Sequence, residues 1–175
     1  MRKFLREKLP TQQSLQQNRW LRPLAHWLSH PNLWHLHRRS VAGGVAVGLF
    51  CGLIPGPLQM LSAVFLVVIL RVNLPVALFT TLYTNPFTIV PLYLFAYEIG
   101  AWISGAQPLT QLPPLPALHW LDWFNPLWQW LSALGKPLLI GVPLLAISLA
   151  LLGYVLVRIA WRMAVLIRWR QRKSH

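Results

Sequence analysis

The chain of 175 residues is 55% hydrophobic and only 11% charged, with a mean hydropathy of +0.48. Those values exclude an ordinary soluble domain and predict an all-α integral membrane protein. The net charge of +13 does not point to nucleic acid, because eight of the sixteen Lys and Arg lie in residues 1–39 and six in 158–173, flanking the apolar body as the positive-inside rule describes.

Residues 1–39 read as a cytoplasmic basic arm that leads into an interfacial amphipathic helix. Trp20, Leu24, Trp27, Leu28 and Trp34 recur at roughly helical spacing there. The basic start runs into Gln12, Gln13, Gln16 and Gln17 rather than into a compact apolar region, so the first membrane segment is expected to serve as the insertion signal. His26 and His30, then His35 and His37, raise the question of a metal. No His-Glu-x-x-His pattern, Cys partner or nearby carboxylate completes a coordination shell, so neither a metal nor another cofactor is expected.

Residues 40–105 form the predicted core, an apolar stretch interrupted at Pro55-Gly56-Pro57 and again at Asn85-Pro86. The uncharged residues 41–54 would reach only about 21 Å as a helix, short of a hydrocarbon layer of ~30 Å. Residues 58–70 and 72–84 are equally short. The expected objects are broken, re-entrant helical hairpins whose half-helices meet inside the membrane. The alternative is that each short piece crosses, aided by tilt and local thinning.

Gly44, Gly48 and Gly52 stand four apart on one face of the first half-helix, a small-residue pattern that lets another backbone approach closely. The same face is a candidate surface for a helix partner or a second copy of the chain. The lone Cys51 is expected to pack rather than react. Pro55 and Pro57 end the helix, Gly56 allows the reversal, and Gln59 brings an amide to the tip. Arg71 is expected to return the second half to the surface that carries Arg38 and Arg39.

A weak internal repeat follows: Pro57-Leu58-Gln59 and Pro86-Phe87-Thr88 share the order proline, apolar, polar. Paired interruptions of this kind point to a binding site in transporter-like folds, although duplicated packing elements would look the same. Asn85 suits a helix cap and Pro86 a first helical position. Glu98 is the one acidic residue within the apolar body. It reads either as a carboxylate that exchanges a proton or pairs with substrate, or as an interfacial Glu. The candidate substrate-binding set is therefore Pro55, Pro57, Gln59, Arg71, Asn85, Pro86, Thr88 and Glu98.

Residues 106–136 hold five prolines and several tryptophans with no Lys or Arg before Lys136, which predicts a non-cytoplasmic loop with an aromatic belt. Residues 137–160 are expected to form a transmembrane helix kinked at Pro143, returning to the cytoplasm at Arg158 and Arg162. The tail, 161–175, is a basic juxtamembrane segment for anionic headgroups.

At Ser40-Val41-Ala42, Ala46-Val47-Gly48-Leu49-Phe50, Ile54-Pro55-Gly56-Pro57-Leu58-Gln59, Arg71-Val72-Asn73 and Thr84-Asn85-Pro86-Phe87-Thr88, with Gly100, the chain resembles the bacterial membrane family known as domain of unknown function 2062. The resemblance runs over roughly residues 24–105. It implies a protein of the bacterial inner membrane and carries no activity with it, while the Lys and Arg distribution predicts a multi-pass chain with both termini cytoplasmic.

Two functions from different classes fit these residues. The first is a small carrier or scramblase-like protein for an anionic lipid or lipid-linked phosphate, with the half-helix tips forming a mid-membrane site. The second is a non-transporting scaffold that holds another envelope protein. An enzyme is not expected, because the three carboxylates are far apart in sequence and Cys51 has no neighbouring His to activate it.

Overall fold

The computed structural model describes residues 31–56, 58–85, 87–106 and 124–173. The arm, most of the amphipathic segment with His26 and His30, Pro57, Pro86 and residues 107–123 lie outside the described residues. Among those described, the chain is all-helical, with five α-helices and no strand: α1 (Arg38–Gly52), α2 (Leu58–Leu70), α3 (Leu74–Thr81), α4 (Ile89–Ser104) and α5 (Phe124–Lys173), preceded by a 3-10 turn at Pro31–Leu33.

The local sequence explains where each helix stops. Gly56 adopts a left-handed φ of 77° between its flanking prolines, which turns the chain back and pairs α1 with α2 as a hairpin. Arg71 takes φ 52°, and the Val72 N–H donates to the Val67 carbonyl at 3.2 Å. Together these are the Schellman ending that glycine usually provides. Asn73 then starts α3, its Oδ1 accepting the Val76 N–H at 3.0 Å, a cap worth about 1 kcal/mol. The Asn73 N–H also donates to the Ser40 carbonyl at 3.1 Å, so the Arg71 turn sits at the end of the molecule where α1 begins.

Close backbone approach sets the remaining geometry. A Cβ on Gly44 would meet the Asn73 carbonyl at 2.7 Å, one on Gly48 would meet the Ala77 carbonyl at 2.5 Å, and one on Gly52 would run into the Tyr83 ring. The three contacts climb both chains together, so α3 lies parallel to α1 along its glycine face. The close backbone approach that the glycine spacing predicts is made here by α3 of the same chain.

On the other side, Gly100 and Gly141 lie backbone to backbone, each approaching the other's helix at Ala96 and Pro137. Gly153 receives Leu49 and Val45 of α1. One side of α5 is therefore covered by α4 along its upper part and by α1 further down, both antiparallel to it. From Pro137 to Gly153 the covered stretch is about 24 Å. The cores follow this division. One joins Leu33, Val47, Cys51, Ala63, Val67, Leu74 and Ala77, and the other gathers Leu53, Tyr93, Ala96, Tyr97, Leu127, Trp130 and Leu138 among others. Phe50 packs against both.

Two expectations change. The break in the last helix falls at Gly135, with φ 63° and ψ −147°, while Pro143 is accommodated inside helix. Residues 124–134, assigned to the loop 106–136, are helical, and the helix runs on to Lys173 through the expected tail. The two Pro-centred breaks also differ. The first reverses the chain, whereas the second lets α3 and α4 progress in one direction, because Asn85 rather than a left-handed glycine shapes it.

Candidate functional site: a cleft beside the α1–α2 tip

The last turn of any α-helix leaves carbonyls without intrahelical partners, and at the end of α1 these are met by hydroxyls from far along the chain. Tyr83 Oη donates to the Leu49 carbonyl at 2.8 Å, Thr84 Oγ1 to the Gly52 carbonyl at 2.6 Å, and Tyr93 Oη to the Leu53 carbonyl at 2.6 Å. Missing side-chain volume at Gly52 is what allows the Tyr83 ring to lie across α1 and reach Leu49. The polar cluster at the second break thus caps the first helix.

The expected site residues are only partly brought together. Gln59 reaches the second break, its side-chain amide lying 3.1 Å from Thr84 Oγ1, so the two interruptions do meet. Asn85 Oδ1 accepts the N–H groups of Phe87 and Thr88 at 2.9 and 3.0 Å, and Thr88 Oγ1 donates to the Tyr83 carbonyl at 2.7 Å. These two polar side chains shape the turn that launches α4 at Ile89, rather than at Pro86 as expected. Arg71 is exposed at the far end of α2, about 18 Å of helix away from Gln59. Glu98 is exposed on α4, on a face it shares with Pro91, Phe95 and Trp102. Pro57 and Pro86 lie outside the described residues.

What the structure provides instead is a cleft of about 550 Å³ between the tip of the α1–α2 hairpin, α4 and the broken part of α5. Leu53 and Pro55 form one wall, Tyr93 another, and α5 contributes Trp128, Leu138 and Val142. Pro55 is the one expected site residue that lines it. The polar side chains are Ser132 and Lys136, flanking Gly135 on α5, and Tyr93, whose hydroxyl already donates to Leu53. The size falls within the ~300–1,000 Å³ usual for small-molecule pockets.

Reading the sequence missed Lys136, Ser132 and Val142. Lys136 had a visible signal, since it is the one basic residue between Arg71 and Arg158, but its association with the hairpin tip depends on the α4–α5 crossing at Gly100 and Gly141. Among the described residues no group of three or more His, Cys, Asp or Glu side chains is placed to hold a metal ion.

A kinked all-helical core with an apolar cleft at its interruption is the class of protein these features define. The chain belongs to the bacterial family described as uncharacterized protein conserved in bacteria (DUF2062), whose model matches residues 21–170. That match includes the 107–123 segment and most of α5, well beyond the residues that carry the resemblance in sequence. No curated protein and no solved structure matches the chain.

Proposed function

We propose that this is a multi-pass, non-enzymatic protein of the bacterial inner membrane, a small carrier or scramblase-like protein for an anionic lipid or lipid-linked phosphate. In this reading α1–α2 is a re-entrant hairpin, α3 and α4 make one broken crossing, α5 returns, and both termini are cytoplasmic. The supporting observation is the distribution of exposed apolar side chains. Leu61 and Phe65 on α2, Phe79 on α3, Trp102 on α4 and Leu139 on α5 are 65%, 67%, 78%, 86% and 75% exposed, large apolar side chains on four helices that a bilayer would cover at no cost.

Two further facts favour a bilayer. α5 contains a segment long and apolar enough to cross a membrane, and its uncharged run between Lys136 and Arg158 spans about 30 Å, the depth of a hydrocarbon core. Hydroxyl capping of the α1 carbonyls suits an interior where no water is available to do it. Basic residues at both ends of the chain suit anionic headgroups on the cytoplasmic leaflet. The cleft gives a lipid-facing recess at the level of the hairpin tip, which is the feature a carrier requires and a scaffold does not.

The reading is tested in proteoliposomes by following a fluorescent anionic phospholipid between leaflets. Transfer well above that of protein-free liposomes is expected, and Val142→Trp, which fills the cleft, should remove most of it. Equal rates with and without wild-type protein would reject the carrier reading.

A further inference from the structure

We infer that the cleft binds a single acyl chain of an amphiphile whose phosphate-type headgroup is held at its rim by Lys136. This rests on the membrane reading above and goes further, to the ligand class and the residues that select it. The walls are apolar, with Leu53, Leu131, Leu138, Leu139, Val142 and Pro143 facing the space, so a charged group cannot enter without a desolvation cost that nothing inside repays. A volume of about 550 Å³ suits one flexible chain, with the headgroup at the rim and any second chain left in the bilayer.

The rim decides the sign of the headgroup. Tyr93 has committed its proton to the Leu53 carbonyl and Ser132 its own to the Gln129 carbonyl at 2.7 Å, which leaves the ammonium of Lys136 as the side-chain cation of the cleft, with Ser132 four residues before it. They stand on opposite sides of Gly135, where φ 63° and ψ −147° interrupt α5. Both are exposed while Leu138, just below, is buried, so the polar edge and the apolar floor are adjacent. Lys is a compact point charge with three donors, which a phosphate oxygen accepts as charge-assisted hydrogen bonds. A zwitterionic headgroup would place a second cation next to Lys136 and lose that gain.

The test uses the full chain in phosphatidylcholine nanodiscs, with Ser132→Cys as reporter and Cys51→Ala to remove the native thiol, which is buried. The alkylation rate of the new thiol is measured with lysophosphatidic acid, with lysophosphatidylcholine of the same chain length, and with inorganic phosphate. Lysophosphatidic acid should slow alkylation at concentrations about tenfold lower than lysophosphatidylcholine, a difference of about 1.4 kcal/mol, and phosphate should have no effect. Lys136→Gln should bring the two lipids level. Val142→Trp should abolish protection by either, and Leu139→Trp repeats that arm at an exposed position should the first variant fail to fold. Equal protection by both lipids with Lys136 present, protection by phosphate alone, or no protection would overturn the inference. Protection without leaflet transfer would keep this site and reject the carrier, whereas transfer without protection would reject this site and keep the carrier.

Discussion

Tyr93 Oη donates to the Leu53 carbonyl at 2.6 Å across forty residues of sequence, and this bond joins the tip of the first hairpin to the first turns of α4. Because both partners are buried, losing the donor leaves an orphaned carbonyl, which costs about 1–3 kcal/mol. Tyr93→Phe should therefore lower stability by that amount, and Thr84→Val should do the same at Gly52. Denaturation of the detergent-solubilised protein measures it; no loss in either variant would show that the carbonyls find other donors.

The Gly100–Gly141 crossing predicts a graded series. Gly100→Ala and Gly141→Ala each drive a methyl into the backbone of the facing helix and should destabilise by about 1–3 kcal/mol or more. Gly153→Ala meets the movable end of the Leu49 side chain instead and should cost less. Gly135→Ala meets open space, yet φ 63° with ψ −147° is a backbone region almost confined to glycine, which makes the alanine unfavourable by about 1–3 kcal/mol. Unfolding midpoints of the four variants give the order.

Asn85 separates a structural role from a binding role. Its Oδ1 accepts two backbone N–H groups, so Asn85→Ala should cost about 1 kcal/mol and raise hydrogen exchange at the Phe87 and Thr88 amides. Asn85→Asp keeps the acceptor and should restore protection. An Asp variant that folds normally but no longer transfers lipid would show that the amide itself meets the substrate.

The arrangement of chain ends predicts a labelling pattern in oriented vesicles. Arg71→Cys should react with a membrane-impermeant thiol reagent from the cytoplasmic side, Ser104→Cys from the opposite side, and Leu58→Cys, at the hairpin tip, from neither. Reaction of Leu58→Cys from the outer side would mean that α1 and α2 each cross.

Much of this arrangement was legible in residue order. Pro55-Gly56-Pro57 and Asn85-Pro86 mark the two breaks because proline and a left-handed glycine act locally, and the Gly44, Gly48, Gly52 spacing announces a close neighbour because helical periodicity is local too. Which neighbour was not legible: α3 takes that face through contacts some thirty positions away. For the same reason Asn85 and Thr88 read in sequence as candidate ligands for cargo, while in the fold their partners are amides and a carbonyl of the chain itself. The break at Gly135 was masked by Pro143, a residue that a long helix can absorb when its neighbours supply the packing.

Hydroxyl capping also fixes an order of events during synthesis. On the membrane reading proposed above, a nascent chain that has emerged only as far as Leu70 holds α1 and α2 but not Tyr83, Thr84 or Tyr93, so the Leu49, Gly52 and Leu53 carbonyls lack these donors, at a cost of several kcal/mol each in lipid. The hairpin that the ribosome delivers first must therefore wait, hydrated or chaperoned, for segments made after it.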